Sequence, residues 1–139
     1  MRRSSYRIFA IIALLLLPGI PLFAHHGTPA YDLNKMVSGK ATVTNMEWVN
    51  PHCLLHFDMK DGKGQVRNWT VEVYNPLYMT RAGWSKDTLR AGDEIELSFH
   101  PAKSGAPNGI IRINDGKVIF QGQALSLDED TPVIPAPRK

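Results

Sequence analysis

Asn45-Met-Glu-Trp-Val-Asn-Pro-His-Cys-Leu-Leu-His-Phe-Asp-Met59 is the stretch whose reading decides the fold. From His52 onward apolar and polar residues alternate with the period of a strand buried on one side. Cys53, Leu55, Phe57 and Met59 take one face, and His52, Leu54, His56 and Asp58 take the other. The first face reads as core and the second as a wall open to solvent or ligand. At ~3.3 Å per residue, His52 and His56 stand ~13 Å apart along a regular strand, too far to share one metal ion directly. Asn50-Pro51 marks a break before this strand, because proline has no donor for the ladder.

Upstream, Val37, Gly39, Ala41 and Val43 alternate with Ser38, Lys40, Thr42 and Thr44. The phase slips near Asn45, where Met46 and Trp48 become the apolar positions, and this predicts a β-bulge. Downstream, Asp61-Gly-Lys-Gly64 reads as a hairpin connection into a third strand over residues 66–74, with Trp69, Val71 and Val73 on one face and Asn68, Thr70 and Glu72 on the other. Asn75-Pro76 supplies the N-cap and first position of a short helix over residues 77–82, stopped by Gly83. Trp84 begins a connector with Leu89 tucked beneath it, and Gly92-Asp93 turns into a fourth strand. There Ile95, Leu97 and Phe99 face inward while Glu94, Glu96, Ser98 and His100 face outward. After a Gly/Pro/Ser loop, Ile111 and Ile113 face inward on a fifth strand, and Asp115-Gly116 turns tightly into residues 117–120.

This order predicts a mainly β fold: a small OB-like antiparallel barrel of five to six strands, with one short helix between strands 3 and 4. A small antiparallel sandwich is the rival. The barrel domain is expected over residues 36–121, after an irregular arm over 25–35 and before an extended or disordered tail over 122–139.

The N-terminus carries a different message. Arg2, Arg3 and Arg7 precede an apolar run over residues 8–17, and the stretch ends in Ala24, the layout of a secretory signal peptide over residues 1–24. The apolar run is about ten residues, short of the ~20 needed to cross a bilayer. Removal of residues 1–24 leaves 115 of 139 residues, beginning at His25, with no membrane span expected. It also removes three of the 16 basic residues, so 13 remain against 13 acidic ones. No basic stripe is left to recruit nucleic acid. The expected location is periplasmic or secreted, and the lone Cys53 is expected to be a buried, inert thiol.

The ordered set of Ala24-His25-His26, Trp48-Val-Asn-Pro-His52, Arg81-Ala-Gly-Trp84 with Leu89 and Gly92-Asp93, and His100-Pro101 before a Gly/Pro loop resembles domain-of-unknown-function family 6152. Those are small exported bacterial proteins without an established activity. The resemblance implies export and a single β-rich domain, and it brings no catalytic residues to carry over. Gly27 departs from the serine that members often have after the histidine pair.

Among candidate sites, the sharpest is the mature N-terminus. A free His25 α-amine (pKa ~7.7–8.0) and its own imidazole form a chelate suited to Cu(II) or another borderline metal such as zinc. A second imidazole would come from His26, His52, His56 or His100, with His52 and His100 the plausible docks. A solvated, flexible end is the plainer alternative. Trp48, His56, Tyr74 and Trp84 form a second candidate set, an aromatic barrel mouth that would hold a protein, glycan or small ligand; side chains that merely plug the barrel end are the plainer reading here. No catalytic activity is expected. His52, Asp58 and Ser98 or Ser104 could be grouped as a triad, but no nucleophile-elbow context surrounds either serine. The chain reads as an exported binding or accessory protein of the envelope, with an envelope protein or small ligand as partner and copper or zinc as candidate metal.

Overall fold

The computed structural model describes residues 28–135. The expected signal peptide, His25 and His26 lie outside the described residues. One 3-10 turn, Thr28–Ala30, leads into seven strands and one helix: β1 (Val37–Glu47), β2 (Leu54–Lys60), β3 (Val66–Glu72), α1 (Pro76–Arg81), β4 (Glu94–Pro101), β5 (Asn108–Ile110), β6 (Lys117–Phe120) and β7 (Gln123–Ala124). The sheet runs β1-β2-β3-β5-β4, and a β1–β4 pairing closes these five strands into a barrel, with β6 and β7 added beyond β4.

Closure depends on the expected slip in β1. The β1–β2 register shifts between Val43 and Asn45, so Val43 faces Phe57 and Asn45 faces His56. β1 thereby bends and pairs with β4 from Val37↔Phe99 to Thr42↔Glu94, while its second half stays on β2. The inward parity of β2 is as read from sequence, with Cys53, Leu55, Phe57 and Met59 all buried. Burial also pushes the Cys53 thiol up, consistent with an inert side chain.

At the centre of the barrel, Phe99 makes edge contacts with Phe57 and Trp69, at ring-centroid distances of 5.6 and 4.9 Å. Gly109 passes directly over it. A Cβ there would lie 2.5 Å from the Phe99 ring, so only glycine lets β5 approach. This corrects the expected fifth strand. Pairing occupies Asn108–Ile110 instead of the stretch around Ile111 and Ile113, and it is parallel to β3 as well as antiparallel to β4. Ile111 is buried just past the strand, and the Ile113 N–H is donated to the Tyr74 hydroxyl at 2.9 Å.

Helix α1 forms where the sequence places its signals. The Asn75 side chain accepts the Tyr78 N–H at 2.9 Å, and Pro76 occupies the first turn, where no donor is needed. Met79, Trp84 and Leu89 anchor the helix and its connector in the core.

The tail needs a second correction. Residues 123–124 pair with β6, Leu125 and Leu127 are 5% and 6% exposed, and the packed body continues past residue 121. Beyond them the chain lies across the end of α1. The Val133 N–H reaches the Ala82 carbonyl, and Gly83, at φ +95, sits where a Cβ would be 2.5 Å from the Val133 oxygen. The arm over residues 28–35 is irregular and docked on the barrel. Tyr31 is buried and bridges to Ala102, and Asp32 donates its N–H to the Pro101 carbonyl at 2.8 Å.

Ending the chain at Gln121 removes two buried leucines, each stabilising by at least ~1.5 kcal/mol. The truncated protein is expected to lose ~3 kcal/mol or more, read as a lower urea midpoint. An unchanged midpoint would show that the C-terminal segment contributes nothing.

Candidate functional site

The outer face of β1, β2 and β3 carries the polar half of each alternation. His56 of β2 stands opposite Thr70 of β3, and Glu47 of β1 reaches it from a diagonal position, since Asn45 is the residue opposite His56 on β1. His56 Nε2 lies 2.8 Å from Glu47 Oε1, and Nδ1 lies 2.9 Å from the Thr70 hydroxyl. A carboxylate only accepts, so Nε2 donates to Glu47; in the neutral ring Nδ1 then accepts from Thr70. Both nitrogens are engaged, and His56 ties three strands together instead of offering a ligand atom.

His52, just before β2, belongs to a second group. Its Nδ1 lies 3.2 Å from Glu72 Oε2, with the histidine side chain 43% exposed and the glutamate 19%. Burial, together with the nearby Glu72 carboxylate, pushes up the hydroxyl of Tyr31, from the arm. Nε2 of His52 has no protein partner among the described residues and opens to solvent.

His100 corrects the sequence reading. It has the outward parity expected on β4, yet it is 2% exposed, because the arm covers that face. Nδ1 meets the Lys35 carbonyl at 2.7 Å and can only donate there, while Nε2 is 2.9 Å from Asp115 Oδ2, off the line of a good hydrogen bond. His100 is a clasp between the arm and the turn before β6, and it is closed to a metal arriving from solvent.

The aromatic mouth is corrected as well. Trp84 is 2% exposed and donates its indole N–H to the Ser126 carbonyl, so the C-terminal segment seals it in. Tyr74 is partly buried, its ring 4.5 Å from that of Tyr78, and its hydroxyl accepts from Ile113. Trp48 packs against the core from outside. The structure brings Tyr74 to Tyr78 and Trp84 to the C-terminal segment, but builds no open aromatic site from the four residues. His52, Asp58 and the serines are not brought together either: His52 turns to Glu72, and Asp58 accepts from Asn68.

The carboxylates that partner the histidines, Glu47, Glu72 and Asp115, were missed from sequence together with Tyr31 and Thr70. The alternation of β3 placed Thr70 and Glu72 on the outer face, but only the pairing of strands brings them to particular rings. Among the described residues no group of three or more His, Cys, Asp or Glu is placed to hold a metal ion, and no helix is long and apolar enough to cross a membrane.

Comparison with known proteins gives one match. The model of a family described as Family of unknown function (DUF6152) matches residues 14–112, a stretch that ends before β6 and the C-terminal segment. No curated protein and no solved structure matches.

Trp84 tests the sealed mouth. Trp84→Phe keeps an aromatic ring but leaves the Ser126 carbonyl without its donor, at an expected cost of about 1–3 kcal/mol. Chemical denaturation of the purified variant checks this. A variant as stable as the parent would show that the indole bond is not structural.

Proposed function

The chain belongs to DUF6152, a family of unknown function, and with no activity to inherit we propose a reading from its own residues: an exported, non-catalytic binding or accessory protein of the bacterial envelope, periplasmic or secreted, that captures Cu(II) or Zn(II) through its mature N-terminus. The observation that carries it is His52, a partly exposed histidine whose Nδ1 lies 3.2 Å from the Glu72 carboxylate. A metal-bound imidazole typically has this arrangement, one nitrogen on a carboxylate and the other on the metal.

Export rests on the basic start, short apolar run and Ala24 end of residues 1–24. Cleavage there frees the His25 amine, whose chelate with its own imidazole prefers borderline metals. The described barrel holds no complete set of ligands. Capture in this reading therefore joins the N-terminus to the barrel face. Tyr31 is docked on that face, and a six-residue step back to His25 reaches up to ~20 Å when extended.

A non-catalytic role agrees with the environment of Thr70. Its hydroxyl, His56 and Glu47 line up as hydroxyl, imidazole and carboxylate, but the row lies on the flat of a sheet whose backbone N–H groups are committed to β1–β2 and β2–β3 ladders. The second reading, a non-metal adaptor, is favoured by one observation only: an open cleft of about 940 Å³ at another part of the barrel surface, with Met59, Val66, Ile95 and Ile119 between charged neighbours such as Lys60 and Glu94.

The test is a Cu(II) and Zn(II) titration of the mature protein, its N-terminus confirmed by intact mass, beside a form with one extra residue before His25. Tight 1:1 binding that is lost in the extended form is expected. Weak binding that is equal in both forms overturns the amine-chelate reading and turns attention to the cleft.

A further inference from the structure

Away from the histidines, the outer face of the barrel carries the open cleft of about 940 Å³, and strand register fixes what lines it. On that face Val66 of β3 stands opposite Lys60 of β2, and one further step of the β1–β2 register brings Lys40 beside Lys60. Lys40 in turn stands opposite Glu96 of β4, and Glu96 opposite Ile119 of β6. Five strands thus present one row in the order apolar, basic, basic, acidic, apolar. Glu94, two residues before Glu96, lines the same acidic side. Resting on the adaptor reading above, we infer that this cleft binds an extended peptide segment of a partner protein, apolar at both ends, with acidic residues over Lys60 and Lys40 and a basic residue over Glu96 and Glu94.

The charges of the row answer a ligand better than they answer one another. Like charges on neighbouring strands repel, yet two lysines stand side by side here, next to two glutamates on one face of β4. The contact that joins the two pairs, Lys40 Nζ to Glu96 Oε1, is 3.9 Å long, with the side chains 87% and 57% exposed. Such a pair contributes little in water. Lys60 and Glu94 have no ion-pair partner among the described residues. Asp58, the carboxylate on the basic side of the cleft, accepts from Asn68 instead. A segment that carries acid and base in the complementary order relieves both repulsions at once.

The apolar ends and the length of the row select the kind of partner. Val66 is 61% exposed, and Ile119 is half-buried, turned outward between the buried Val118 and Phe120. Four strand spacings of ~4.8 Å set the two ends ~19 Å apart, the span of about six residues of extended chain at ~3.3 Å each. A zwitterionic lipid headgroup has both charges, but its apolar part lies on one side only. A polypeptide supplies both signs with an apolar side chain beyond each. The row crosses the strands, so recognition runs through side chains and leaves the backbone bonds of the sheet in place.

The test passes a library of capped hexapeptides over the immobilised mature protein and reads which sequences are enriched. The parent is expected to enrich peptides with apolar ends and with both acidic and basic residues between them. Lys40→Glu combined with Lys60→Glu makes the row wholly acidic, and it should lose those peptides and enrich purely basic ones. Glu94→Lys combined with Glu96→Lys should do the converse. All four positions are exposed, so the barrel is expected to fold in both variants. Val66→Ser is the milder change, and it should keep the charge preference while losing the preference for one apolar end. Peptides enriched equally by the parent and both reversal variants overturn the cleft as their site and leave the adaptor reading standing. Binding of phosphatidylethanolamine vesicles that the reversal variants lose, with no peptide enriched, overturns the peptide and also leaves that reading standing. Neither peptide nor vesicle bound by the parent overturns both.

Discussion

β1 is hydrogen-bonded along both edges, to β2 through residues 41–47 and to β4 through residues 37–42, and only a strand that bends can satisfy both partners. The extra residue at Thr44 provides the bend. It has a second effect. Val43 faces the core, so in an unbroken strand Glu47, of the same parity, would face the core too. The bulge shifts the phase, sends Met46 against the core and returns Glu47 to the outer face, where it meets His56. One inserted residue thus closes the barrel and sets the polarity of the face beside it.

The same face shows how little a histidine's identity says about its availability. All three described histidines have a carboxylate within 3.2 Å, so charge alone does not distinguish them. What differs is the remaining nitrogen: a hydroxyl takes it in His56, burial hides it in His100, and solvent meets it in His52. Removing water from a polar atom is costly unless a partner replaces it. His100 illustrates the compromise, since its Nε2 is held close to Asp115 without good hydrogen-bond geometry.

Much of the fold was legible because period-two alternation is a local signal. Cys53, Leu55, Phe57 and Met59 declared the inner face of β2 by spacing alone, the slip at Asn45 declared the bulge, and Asn75-Pro76 with Gly83 declared the short helix. What failed was non-local. Leu125 and Leu127 are a single apolar pair in a polar, proline-bearing stretch, too short to show a period, and their burial depends on a distant part of the chain, where the Trp84 indole holds Ser126 between them. β5 was misplaced because its pairing is dictated by Gly109 fitting over Phe99, a contact between strands. The parity of His100 was read correctly and its exposure was not, since parity cannot reveal that an arm without periodicity will lie across it. The candidate site was half legible: the histidines could be named, but the carboxylates beside them come from other strands and from the turn before β6.

The segment that seals Trp84 also gives the chain a timetable. Ser126 lies 42 residues beyond the Trp84 it caps, and the segment around it covers the helix end and completes the core. β1 likewise waits for β4, more than fifty residues downstream, before its second edge is paired. Contacts so distant in sequence form late and slowly. A chain that emerges N-terminus first therefore keeps an open core until these downstream residues are available, and closure comes late in its folding.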